Sequence, residues 1–129
     1  MFQKKIGFLA VIVILILSAC GGKGESGAVR VVDEYINALV NKDETRLSAL
    51  SCAEWEMMAL LEFDSFQAVD TRLEELSCSE AGKDGESTLV NCTGKIIVTY
   101  NNEDQELDLS LRTYQVVEQG GEYLVCGYR

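Results

Sequence analysis

The sequence predicts an α+β domain: N-terminal helices packed on a bent antiparallel sheet of three to four strands. Two patterns carry that prediction. Val29, Val32, Ile36, Leu39 and Val40 recur at helical spacing. Val90, Cys92, Gly94, Ile96, Val98 and Tyr100 alternate with Asn91, Thr93, Lys95 and Thr99 at the two-residue period of a strand. The first lies in the N-terminal half of the chain and the second in the C-terminal half.

The elements follow in order. The first helix spans about residues 28–41, with Arg30, Asp33, Glu34, Asn37 and Asn41 on its polar face. Asp43 reads as the N-cap of a short helix that carries Leu47 and Leu50 inward. Ser51-Cys52-Ala53-Glu54 has the form of a capping box, opening a helix with Trp55, Met58 and Leu61 on its inner side. Asp64-Ser65-Phe66-Gln67 has the same form and predicts a further short piece burying Phe66 and Val69. Residues 71–80 fit either period and are read as a polar edge strand.

The strand over 90–100 comes next, and Glu103-Asp104-Gln105-Glu106 reads as a solvated hairpin tip rather than a calcium loop. Leu107, Leu109 and Leu111 then alternate with Asp108, Ser110 and Arg112 before the apolar parity switches at Tyr114 and Val116. A parity switch predicts a β-bulge and a bent sheet. Gly120-Gly121 marks the last turn, before a strand from Tyr123 to Tyr128.

Composition excludes whole classes of chemistry. The 129 residues contain no His, so Ser-His and Cys-His nucleophiles and His-ligated metals are absent. With 21 acids against 11 bases, the chain has no phosphate-binding surplus, which argues against nucleic acid as a partner. No metal site and no cofactor is expected. Five Cys are present, and none forms a Cys-x-x-Cys pair.

The first of them closes a leader. Met1-Phe2-Gln3-Lys4-Lys5 precedes an apolar or small run from Ile6 to Leu17, then Ser18-Ala19-Cys20. Twelve residues of helix reach roughly 18 Å, short of a hydrocarbon core of about 30 Å. Leu17-Ser18-Ala19-Cys20 resembles the lipobox of bacterial lipoproteins. The resemblance implies that residues 1–19 are a signal peptide and that the Cys20 thiol carries palmitate-type acyl chains. At about 0.8 kcal/mol per buried CH₂, two or three chains anchor a small domain to the extracytoplasmic face of the cell envelope. Residues 20–27, with four glycines after Cys20, read as a tether, and 28–129 as one domain.

Four Cys remain, an even number that predicts two disulfides with three connectivities open. A three-residue loop Asp84-Gly85-Glu86 would set Cys78 opposite Cys92, and Cys52 would pair with Cys126 by elimination. A two-residue Asp84-Gly85 loop would oppose Cys78 to Asn91 instead.

The Leu-Ser-Cys-Ala-Glu-Trp segment, the Gly-Lys-Ile-Ile-Val-Thr-Tyr strand and the closing Gly-Glu-Tyr-Leu-Val-Cys-Gly-Tyr are together similar to small lipoproteins of the nuclear transport factor 2-like, cystatin-like fold. That resemblance implies a curved sheet wrapped around a helix with a conical pocket, and Trp55, Met58, Phe66 and Tyr100 are its candidate lining. Ketosteroid isomerase-type enzymes of the fold use a carboxylate base and a Tyr. Tyr35, Tyr100, Tyr114, Asp64 and Asp70 supply the residue types here, but in no motif. The expectation is a non-catalytic binding or interaction module whose partner is an envelope protein or small ligand. The alternative is a small envelope enzyme or ligand-sequestering protein that uses the conical pocket.

Cys20→Ala is expected to abolish fatty-acid labelling and leave an uncleaved precursor. Normal processing and membrane retention in that variant would refute the lipid-anchor assignment.

Overall fold

The computed structural model describes residues 26–129. The expected leader over 1–19, the expected lipidation at Cys20 and the expected tether as far as residue 25 lie outside the described residues. α1 (Gly27–Val40), α2 (Glu44–Ala49) and α3 (Ala53–Ser65) precede five strands, β1 (Asp70–Asp84), β2 (Ser87–Tyr100), β3 (Glu103–Asp108), β4 (Thr113–Gln119) and β5 (Glu122–Tyr128). A 3₁₀ turn over Leu109–Leu111 separates β3 from β4.

The sheet is antiparallel, and β2 is its spine. β1 runs along one edge of β2, while β4 and β3 share the other edge end to end. β4 pairs Thr88 to Asn91, and β3 pairs Lys95 to Tyr100. β5 then pairs with β4. The sheet thus has one strand more than the upper count of the three to four expected. Leu107 lies in β3, Leu109 and Leu111 in the 3₁₀ turn, and Tyr114 to Val116 in β4, so the parity switch marks that turn between two strands of one edge. The acidic run from Glu103 is strand β3 rather than a loop tip. Asn101 and Asn102, both at positive φ, make the tip.

α1 lies across the concave face of the sheet. Val32, Tyr35, Ile36 and Leu39 are fully buried and meet Val90, Ile96, Leu109, Tyr114, Val116 and Val125. Ser26 caps α1 by accepting from the Val29 N–H at 3.2 Å, so the helix begins within the glycine-rich segment. Its other end is fixed to β1. Lys42 Nζ donates to the Val69 carbonyl and Thr71 Oγ1 to the Val40 carbonyl, both at 2.6 Å. Asp43 accepts from the Arg46 N–H at 3.0 Å and caps α2.

Neither capping box forms. The N-cap of α3 is Cys52, without a side-chain cap bond, and the Ser51 hydroxyl donates to the Leu47 carbonyl at 2.8 Å. The backbone there is engaged elsewhere. Cys52 N–H donates to Val125 O at 2.9 Å, and Val125 N–H to Leu50 O at 2.8 Å, which docks the α2–α3 corner on the free edge of β5. α3 continues through Ser65, so Asp64 to Gln67 ends a helix instead of opening one.

The inner face of α3 is set by Trp55, Ala59, Phe63 and the following Phe66, spaced four, four and three residues apart. Apolar residues nearly encircle this helix, so periodicity alone did not choose a face. The aromatic side chains occupy the core, and Met58 and Leu61 face solvent.

Two disulfides are present. Cys52 joins Cys126, with Cα atoms 5.2 Å apart, and Cys78 joins Cys92, with Cα atoms 4.0 Å apart. Cys78 does face Cys92 in the register, though by a different route from the three-residue loop. The hairpin loop is only Gly85-Glu86, because Asp84 pairs with Ser87. That loop alone would set Cys78 against Thr93. A bulge between Glu80 and Gly82 inserts one residue and restores Cys92 as the partner. Cys126 lies at the β5 irregularity opposite Gln115 and Val116, so it falls outside the paired rows.

A second bulge, between Glu74 and Ser77, faces Gly94. Gly94 has φ +99°, and a Cβ there would sit 2.6 Å from the carbonyl oxygens of Glu74 and Glu75. Gly94→Ala is expected to cost about 3 kcal/mol in urea unfolding, from backbone strain and overpacking together. A loss below about 1 kcal/mol would show that the bend does not need this glycine. By loop closure, replacing Cys52 and Cys126 with Ser should cost about 4 kcal/mol, against about 3 for Cys78 and Cys92.

Candidate functional site

The concave side of the sheet gathers most of the aromatic and polar chemistry at one end, where α3 crosses β4 and β5. Trp55 comes from the first turn of α3, Tyr35 from the middle of α1, Tyr114 from β4 and Tyr128 from the end of β5. The rings meet edge to face. Centroids lie 6.2 Å apart for Tyr35 and Tyr114, 5.6 Å for Tyr114 and Tyr128, and 5.3 Å for Trp55 and Tyr128. Trp55 Nε1 donates to the Tyr35 hydroxyl at 2.9 Å. A Cβ at Gly127, beside Tyr128, would meet the Trp55 ring at an ordinary 3.6 Å, so it is the φ of +150° there that favours glycine.

An ion pair closes this cluster toward solvent. Arg112 Nη1 donates to Glu62 Oε1 at 2.7 Å, and the Tyr128 hydroxyl donates to Glu62 Oε2 at 3.2 Å. The Arg112 guanidinium lies 4.1 Å above the centroid of the Tyr128 ring. Both charged side chains are largely covered, with 16% and 12% of their surface exposed for Arg112 and Glu62. The other ion pairs of the described residues are far more open.

Burial sets the titration of the cluster. It raises the Tyr35 hydroxyl well above the usual phenol range, against the lowering effect of the Trp55 hydrogen bond. It pushes Tyr114 up to about 12, with the nearby Arg112 charge acting in the opposite direction. Burial followed by the Glu62 charge raises Tyr128. For Arg112 burial opposes the charge, but Glu62 outweighs it and holds the guanidinium protonated. The Tyr114 hydroxyl is buried and makes no well-formed hydrogen bond, only a weak approach to Arg112.

As chemistry, the set offers little to a substrate. The one covered carboxylate is neutralised by a cation and a phenol, and no free base stands beside it. Among the described residues no three Cys, Asp or Glu converge as a metal would require. Of the four residues expected to line a cone, Trp55 and Phe66 pack in or against the core. Met58 and Tyr100 are exposed, so they line no interior. Tyr100 pairs with Glu103 at the tip of the β2–β3 hairpin. Asp64 and Asp70 are exposed at the ends of α3 and β1. The larger concavities are surface grooves. One of about 660 Å³ runs between α1, α2 and the start of β5, lined by Arg30, Glu34, Arg46 and Tyr123 among others. None of these grooves includes Trp55, Met58, Phe66 or Tyr100.

Glu62, Arg112 and Tyr128 were not singled out in the sequence. A signal existed for Glu62, which stands seven residues after Trp55 and three after Ala59, on the inward side of its helix. No such signal marks Arg112, whose place depends on the 3₁₀ turn.

No family model matches the sequence, and no curated protein matches it. Solved structures do. A ketosteroid isomerase-like protein from Shewanella frigidimarina superposes with a TM-score of 0.56 at 13% identity, over 81% of this chain and 94% of that one. A SEC-C motif-containing protein from Rhodopseudomonas palustris gives 0.54 at 12% identity, over 81% and 80%. Aln2 from a Streptomyces species gives 0.50 at 12%, over 77% and 82%. At such identities the likeness is one of fold alone: helices on a bent antiparallel sheet of the nuclear transport factor 2-like kind.

Two tyrosines separate structure from spare chemistry. Tyr35→Phe leaves the Trp55 N–H unpartnered and is expected to cost about 1–2 kcal/mol. Tyr114→Phe removes an unsatisfied hydroxyl and should be neutral or stabilising by up to about 1 kcal/mol. Because the Tyr114 proton is held more tightly folded than unfolded, its contribution is complete below about pH 10 and is lost as pH rises toward 12. Urea midpoints should therefore fall over that interval, and less steeply in Tyr114→Phe. Equal alkaline slopes in the two proteins would contradict this account.

Proposed function

We propose that this protein is a lipid-anchored, extracytoplasmic lipoprotein of the bacterial cell envelope that acts as a non-catalytic binding or interaction module. The anchoring half rests on Leu17-Ser18-Ala19-Cys20 after a short apolar run. Two disulfides in a small acidic domain fit an oxidising, exported setting. The non-catalytic half rests on one observation, the engagement of Glu62 by both Arg112 and Tyr128. A ketosteroid isomerase-like reaction needs a carboxylate free to take a proton, and this one is committed to two donors.

Native mass spectrometry of the full-length protein extracted from membranes tests the reading. The expected species is the acylated chain without a further stoichiometric small molecule. A retained small molecule that disappears in Trp55→Ala would overturn it in favour of a ligand-sequestering protein.

A further inference from the structure

α3 presents two opposite characters. Its inner side is aromatic and buried, but its outer side exposes Met57 (74%), Met58 (51%) and Leu61 (57%) as a contiguous strip at one-, three- and four-residue spacing. Scattered single apolar residues on a surface are ordinary, whereas three neighbouring ones on one helix face are not. Methionines suit such a surface, since the flexible thioether adapts to varied shapes.

The rim of the strip is acidic. Glu54 lies at one end of the outer face and Asp64 at the other. Beside it, a groove of about 600 Å³ between α2 and α3 is lined by Glu44, Glu56 and Leu60 among others. From Leu47 to Thr71 the chain holds five carboxylates and no Lys or Arg. Of the bases brought in from elsewhere, Arg112 is spent on Glu62 and Lys42 on the Val69 carbonyl.

We infer that the outer face of α3 docks a cationic amphipathic segment, helical and Lys- or Arg-rich, of a partner protein. Apolar anchors of that segment would cover Met57, Met58 and Leu61, and its bases would meet Glu54, Asp64 and the α2–α3 groove. The charge pattern separates this occupant from the others. A second copy would bring the same carboxylates face to face across a twofold axis. Anionic lipid would be repelled by them, and neutral lipid would gain nothing from them. The inference deepens the interaction-module reading and rests on it.

A photo-reactive benzoylphenylalanine placed at Leu61 of the full-length chain, in the cells that make it, tests the inference. Ser79 on the outer side of the sheet is the control position. Adducts from position 61 should map to one protein, in a segment with surplus Lys and Arg and apolar residues three and four apart. Their yield should fall about tenfold both in Met57→Gln with Met58→Gln and in Glu54→Lys with Asp64→Lys. All four residues are solvent-exposed, so these variants leave the core intact. Adducts with a second copy, with lipid or with an acidic or uncharged segment would overturn the inference, as would a yield no higher than that from Ser79. Membrane fractionation of the same cells reports on anchoring separately. Anchored protein without specific adducts sinks the docking surface alone.

Discussion

The architecture depends on how β2 bends. A fourteen-residue strand could lie flat and leave α1 on an open surface, but β2 turns at Gly94, where the Glu74–Ser77 bulge of β1 presses two carbonyls against it. On its opposite edge the pairing passes from β4 to β3 over the same residues, after Asn91 and before Lys95. Bend and handover therefore coincide. Val90 in one half of β2 and Ile96 in the other both reach the core that α1 fills. Sheets acquire such curvature through glycine and bulges together, since each relieves the strain that the other introduces.

Curvature creates a concave end that must be filled or left open to solvent. Here Trp55, Tyr35, Tyr114 and Tyr128 fill it, and the Glu62–Arg112 pair seals it. A largely covered ion pair gains little over an apolar pair of equal volume, but removing one partner is expensive, on the order of 3–5 kcal/mol. The pair therefore holds α3 to the start of β4 and makes the identity of both residues matter. In this domain the covered carboxylate caps the rings and is neutralised, where other side chains would leave one free in a cleft. That difference lies in a few side chains rather than in topology.

Much of the fold was legible because long periodic segments leave little choice. The α1 stripe and the β2 alternation fixed which half is helix and which is sheet. What the sequence concealed was arbitration between equal candidates. Trp55, Met58, Ala59, Leu61 and Phe63 make two faces of α3 equally apolar, and only the sheet beneath selects the aromatic one. The Ser51 and Asp64 boxes have the right letters, yet the Ser51 N–H donates to Ser48 O and its hydroxyl to Leu47 O, which takes up the groups the first box would need. A strand and a 3₁₀ turn share the alternation of Leu107, Leu109 and Leu111, so the fifth strand was invisible to a period count. Glu62 could be placed inward by spacing, but its partner Arg112 arrives through tertiary structure fifty residues away.

The Cys52–Cys126 bond divides the domain mechanically. It closes a covalent ring of sequence separation 74 that holds α3 and nearly the whole sheet, and the Cys78–Cys92 ring is nested inside it. α1 and α2 lie outside, between residue 26 and the ring. A pull applied at the N-terminal end therefore reaches them first and travels through their contacts with β1 and β5 before it meets a covalent link. Under load the helix at the centre of the core is the part that can be drawn out. The ring limits the extension to the chain ahead of Cys52, and release of the force leaves a closed sheet on which α1 can dock again.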